Sequence, residues 1–234
     1  FFGPDGQLWW LLGTEGLEYL EVGRVWKFGL LGGFVGWAVL LYRGLRPMLR
    51  EEERYGLGHL ILLAGGSIAL LFVAGLLYTP ETNMVVTEFW RWWVVHMWVE
   101  GAFEFFIVAV VGLTLVGMNL LEPESAAKAV LLEALLVMGA GIIGVSHHYW
   151  WIGLPDIWVP VGSVFSTLEL IPLVIVLFEA ITEYRALVAR GEAFPYRLPF
   201  AFIVASGVWN FVGAGVLGFF INLPLINYYE HGTY

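Results

Sequence analysis

The stretch WRWWVVHMWVEGAFE, Trp90 to Glu104, sets His96, Glu100 and Glu104 at spacing i, i+4, i+8 inside an otherwise apolar run. On a helix the three project from one stripe, with successive side chains about 6 Å apart along the axis. One ionisable group at the centre of a membrane helix costs about 2.5 to 3.5 kcal/mol on insertion scales, so three in line require compensation. Metal coordination and a proton route would both supply it. A second stretch, GIIGVSHHYWW from Gly141 to Trp151, ends its apolar run on adjacent His147 and His148. Neighbours on a helix point about 100° apart, yet both rings can reach one ion where the backbone is partly unwound. Gly139, Gly141 and Gly144 just upstream allow close helix approach. In a chain with five histidines and no cysteine, His96, Glu100, His147 and His148 read as a transition-metal site inside a membrane.

The rest of the chain supports the membrane setting. Of 234 residues, 59% are hydrophobic, 17% aromatic and only 13% charged, too apolar for a water-soluble surface of this size. The fold class expected is all-α, a polytopic transmembrane bundle forming a single domain over residues 1–234. A spanning helix needs about 20 apolar residues to cross roughly 30 Å of hydrocarbon. Six stretches qualify, at about 25–45, 57–78, 87–121, 126–150, 158–190 and 199–229. Pro80, the Glu122 to Ser125 run, Gly153 to Pro155 and Gly191 to Pro195 mark connections between them. The net charge of -9 is spread over short loops and helix interiors, and no basic tract suited to nucleic acid exists. Without cysteine there are neither disulfides nor thiolate ligands. A start at Phe1 rather than methionine suggests a piece of a longer protein.

Lys and Arg concentrate in cytoplasmic loops, and here Arg43, Arg46, Arg50 and Arg54, then Lys128, then Arg185, Arg190 and Arg197 alternate with loops that hold almost none. Both ends of the chain should therefore face outward. Trp90, Trp92 and Trp93 then start the third helix at the outer interface, and Tyr149, Trp150 and Trp151 end the fourth there, as aromatic belts do. The three imidazoles should meet at one depth, just below the outer face.

Other polar residues carry blander readings. His59 and His231 are expected to be hydrogen-bonded packing or tail residues. Glu133 and Glu179, nearer the cytoplasmic ends, should snorkel to water. Glu169 differs, because it lies roughly 16 Å into the fifth helix from its outer end. A carboxyl at that depth disfavours ionisation, which suits a proton carrier.

WRWWVVHMWVEGAFE, followed by GIIGVSHHYWWIGLPDIWVPVGSVFSTLE from Gly141 to Glu169, resembles the catalytic subunit of bacterial nitric oxide reductases, members of the heme-copper oxidase superfamily. In the oxidases one His and a following His-His pair bind copper, with a tyrosine four residues after the first His. Glu100 stands at that position here, as in the nitric oxide reductases. The resemblance implies a non-heme iron held by His96, Glu100, His147 and His148, with Glu104 and Glu169 as the catalytic acids that deliver protons and tune the site. A carboxylate suits iron better than copper. Similarity extends from GTEGLEYLEVGR, Gly13 to Arg24, to VWNFVGAGVLGFFINLPLINYYEHGT, Val208 to Thr233. The opening motif is closer to the quinol-dependent branch, and Glu18 matches a carboxylate that binds calcium near heme propionates in some members. Family members also carry low-spin and high-spin heme b, ligated by a His on an early helix and by an HxH motif. This chain contains neither, which suggests a central piece with the heme ligands elsewhere.

The family reaction joins two nitric oxide molecules into nitrous oxide and water. Its partners are nitric oxide, an electron donor that is a quinol or a cytochrome c, and membrane lipid, in the bacterial inner membrane. With the site near the outer face, protons are expected from outside. Three competitors are a nitric oxide dismutase, an oxygen-reducing heme-copper oxidase, and a metal-binding or transporter-like protein without redox chemistry. The complete iron-ligand set weighs against the first, Glu100 in the tyrosine position against the second, and the resemblance itself against the third.

Overall fold

The structure is a computed structural model of the chain; it describes residues 4–13, 22–51, 56–149, 152–221, 223, 225–226 and 229. Glu18, Arg54, Trp150, Trp151 and His231 lie outside these residues. Among the described residues all regular structure is helical. A short α1 (Pro4–Leu12) precedes α2 (Arg24–Glu51), α3 (Leu57–Leu76), α4 (Met84–Gly117), α5 (Pro123–His148), α6 (Trp158–Leu168), α7 (Ile171–Ala189) and α8 (Arg197–Phe220). Helices α2, α3, α4, α5 and α8 are each long and apolar enough to cross a membrane.

The expected bundle is present, but its fifth segment is interrupted. Where one helix over 158–190 was expected, α6 and α7 are separated by a turn holding Glu169 and Leu170. Pro172, in the first turn of α7, has no N–H to donate to the carbonyl four residues back, so the ladder cannot run through. The break falls beside the one deep carboxylate of that segment.

Packing is antiparallel, tight and dominated by small residues. A Cβ on Gly101 would stand 3.1 Å from Val137, and one on Gly112 would stand 3.5 Å from Val130, which fixes the register of α4 against α5. With lipid tails as apolar as leucine, such contacts bind through close van der Waals fit rather than through exclusion of water. One core joins Leu60, Ile61, Phe105, Val108, Val130, Val137 and Val176 from α3, α4, α5 and α7. A second sets Phe72 and Trp98 against Phe34 of α2, with ring centroids 5.2 to 5.5 Å apart. The Trp98 indole N–H donates to the Ile68 carbonyl at 2.8 Å. Apolar side chains such as Trp26, Leu40, Phe202 and Trp209 lie exposed along α2 and α8, at the periphery of the bundle.

Both segments that carry the candidate metal ligands depart from α geometry. Trp93–Phe103 within α4 is a π-helix, and Val145–His148 at the end of α5 is a 3₁₀ turn. Single π turns are common at functional sites, and an eleven-residue run of them is unusual. The regular helical stripe expected for His96 and Glu100 is thus wound more widely than a 3.6-residue turn.

Candidate metal centre

His96 projects from the π-helical part of α4, beneath a collar of aromatic rings. Phe89, Trp90 and Trp93 pack on one another with centroids 5.0 to 6.1 Å apart, and the Tyr149 ring stacks on Phe89 at 5.5 Å. The Tyr149 hydroxyl donates to the Phe89 carbonyl at 3.1 Å, which ties the end of α5 to the start of α4. His96 and His147 are each 1% exposed and His148 is 5% exposed, so no bulk water reaches the rings.

The three rings converge edge to face. His96 stands 5.2 Å from both His147 and His148 by centroid, and the last two are 4.0 Å apart at 84°. Nε2 of His147 and Nε2 of His148 approach to 2.7 Å, and Nδ1 of His96 lies 2.8 Å from Oε2 of Glu100. One ligand atom from each of His96, Glu100, His147 and His148 lies within 4.8 Å of all the others. The 3₁₀ winding at Val145–His148, with the helix ending at Tyr149, is what lets two adjacent side chains reach one point.

Neighbours hold the rings in place. The Trp92 indole lies parallel to His148, centroids 3.8 Å apart and planes 8° apart, and its N–H donates to Glu88 at 3.2 Å. Glu88 also accepts from Arg91 at 3.1 Å, so the ring stacked on His148 is braced by an ion pair. Behind His147, α6 comes so close that a Cβ on Gly162 would stand 2.6 Å from the His147 nitrogen and 2.7 Å from the Gly144 carbonyl oxygen. Both are backbone atoms, which cannot swing aside. Gly162→Ala should therefore displace the 3₁₀ turn and destabilise the protein by about 1 to 3 kcal/mol, read as a lower melting temperature together with reduced bound metal. An unchanged metal content would show that the turn tolerates the methyl group.

A donor set of three imidazoles and one carboxylate fits a first-row transition ion. Imidazole suits iron, copper and zinc alike, while the carboxylate tilts the set towards iron. His96 Nε2 is buried with no hydrogen-bond partner among the described residues, a state that ligation would relieve. The calcium expectation rested on Glu18, which lies outside the described residues. His59 lies in the first turn of α3, whose neighbouring Leu57 and Leu60 pack with Leu115 and Leu120. That places it in the half of the bundle away from the imidazoles.

Below the imidazoles lie the acids. Glu104 begins the α-helical part of α4, and Asn210 of α8 hydrogen-bonds to its side chain. Glu169 is 2% exposed in the α6–α7 break; its Oε1 would stand 2.8 Å from a Cβ on Gly141, so only glycine leaves room for it there. Glu100, Glu104 and Glu169 are mutual electrostatic neighbours. The reading of Glu133 needs correction. Instead of snorkelling to water it is fully buried, because it sits on the α5 stripe of Ala126, Val130, Val137 and Ala140, which faces other helices. Reading position along the helix without its face missed this residue, although its spacing from Ala126, Val130 and Val137 was visible. Asn210 had no such signal. Glu179, by contrast, is half-exposed.

Comparison with known proteins covers nearly the whole chain. Residues 3–234 match the family described as Cytochrome C and Quinol oxidase polypeptide I. The chain is also similar to a nitric oxide reductase subunit of Stutzerimonas stutzeri, 32% identical over 227 residues that make up 95% of this chain and 45% of that protein. It thus spans about half the length of the curated relative it matches.

Proposed function

Because this chain belongs to the Cytochrome C and Quinol oxidase polypeptide I family of multi-pass membrane oxidoreductases, we propose that it contributes the non-heme iron half of a nitric oxide reductase centre. The observation that carries this reading is Glu100 among three buried imidazoles, with ligand atoms within 4.8 Å of one another. The similarity to the Stutzerimonas stutzeri reductase supports it further. Reduction of nitric oxide takes two molecules of the gas, two electrons and two protons to nitrous oxide and water. The electrons would come from a quinol or a cytochrome c by way of heme b.

His96, His147, His148 and Glu100 would hold the iron. When bound there, the iron together with heme would supply electrons and positions at which the two gas molecules bind. The chain's own residues do the remainder. The aromatic collar and the near-complete burial of the histidines exclude water, which keeps charge interactions strong at the site. Trp92 and Gly162 hold the imidazoles in one orientation. Glu104, anchored by Asn210, and Glu169, held against Gly141, lie on the inward side and would pass protons towards the reacting oxygen. Nitric oxide is small and weakly polar, so it can arrive through lipid. The setting proposed is the bacterial inner membrane, with both ends of this segment on the outer side.

The test is gas and metal analysis of the full-length protein. Consumption of nitric oxide with nitrous oxide as product, and one non-heme iron per chain, is the expected result. Nitrogen and oxygen as products would instead identify a dismutase, and copper with oxygen consumption would identify an oxidase. Either would overturn the proposal.

A further inference from the structure

Glu133 is the most deeply buried carboxylate among the described residues, 0% exposed, and neither of its oxygens has a hydrogen-bond partner among them. Its helix stripe is otherwise built for packing, with Ala126, Val130, Val137 and Ala140 above and below it. An apolar residue would fill such a position at no electrostatic cost, whereas an unpartnered buried carboxylate costs several kcal/mol if charged. Stability alone therefore does not explain a glutamate here.

Its placement supplies a reason. Gly101 faces Val137 and Gly112 faces Val130 and Ala126 in the antiparallel α4–α5 contact, which sets Glu133 level with Glu104. Glu104 acts on Glu133 electrostatically, and Glu133 in turn acts on Glu169. The three acids come from α4, α5 and the α6–α7 break, and each lies within electrostatic reach of the others. Along α5, Glu133 precedes His147 by 14 residues, roughly 20 Å of helix. By the same contacts Glu169, whose Oε1 lies over Gly141 beside Met97, stands nearer the imidazoles than the level shared by Glu104 and Glu133.

We infer that Glu133 is the third member of a three-carboxyl proton chain with Glu104 and Glu169, holding a proton for transfer towards the metal centre. This rests on the proposed function, since a proton chain needs a proton-consuming reaction at its end. In the step itself the Glu133 carboxylic acid gives its proton to the Glu104 carboxylate through intervening water. Glu104 becomes the acid, Glu133 the carboxylate, and no electron moves. Glu133 then regains a proton from water.

The experiment uses the full-length enzyme with Glu133→Gln, which keeps shape but cannot exchange a carboxyl proton, and Glu133→Asp, which can. Glu133→Gln should lower turnover by about tenfold or more, with heme absorption and iron content unchanged, and Glu133→Asp should recover part of the loss. Infrared difference spectra should show a protonated-carboxyl band that disappears in Glu133→Gln. Turnover within twofold of the parent, or a carboxyl band unaffected by the substitution, would overturn the inference. A parent enzyme that does not reduce nitric oxide would instead sink the proposed function, and the infrared band would still report whether Glu133 holds a proton. Should Glu133→Gln fail to assemble, Glu133→Leu restores the apolar stripe and carries the same turnover comparison.

Discussion

Replacing His147 with alanine is expected to abolish nitric oxide reduction by the full-length enzyme and to remove the non-heme iron while leaving the hemes in place. Changes to groups that merely orient a metal ligand cost about 10- to 100-fold in affinity, and removing a ligand costs more. His147 has no understudy. It is 1% exposed, its Nε2 lies 2.7 Å from that of His148, and its backbone is wedged against Gly162. Alanine would leave a gap that no neighbouring donor can fill without moving a packed helix. Metal analysis against heme absorption separates this outcome from general unfolding, which would lose both. Retention of a full iron complement by His147→Ala would remove His147 from the ligand set and with it the centre proposed.

The second large effect is expected from Glu104→Gln and Glu169→Gln, with the opposite signature. Both should keep their iron, since neither belongs to the four-residue ligand group. Both should slow turnover by about 10² to 10⁴, the range that a positioned proton donor contributes. Glutamine preserves the size of the side chain, and for Glu104 it preserves the contact with Asn210. At Glu169 it respects the tight clearance over Gly141. What is lost is the exchangeable proton. Iron loss equal to that of His147→Ala would show that these acids support the metal rather than the proton path, whereas turnover unchanged from the parent would remove them from the mechanism.

The comparison between the two outcomes matters because the acids and the histidines lie so near one another. Glu100 belongs to the candidate ligand group and is an electrostatic neighbour of Glu104 and Glu169, so in the proposed centre one carboxylate would join the metal to the proton chain. A substitution that shifts Glu100 would disturb both functions at once. Measuring iron and turnover on each variant tells them apart.

Much of this organisation is legible in the order of residues. The membrane class follows from composition, and the long apolar runs give helices close to those found, because in hydrocarbon a backbone must satisfy its own hydrogen bonds and helix is the cheapest way. The convergence of His96, Glu100, His147 and His148 follows from spacing plus the aromatic belts. Ionisable residues in lipid are costly, so those that remain cluster where they can be compensated.

Local winding and facing were decided elsewhere. That α4 runs as a π-helix past His96, that α5 closes in a 3₁₀ turn under His147, and that the fifth segment breaks at Glu169 depend on how neighbouring helices press on these backbones. Pro172 is the local cue for the break. Glu133 shows the limit most clearly. Along the chain it lies where a glutamate could reach water, and only the packing of its stripe against the other helices takes that route away. Chain order determines which residues enter the membrane and at what depth; which face of each helix meets a partner is settled when the helices pack, and that choice turned an expected surface acid into a buried one.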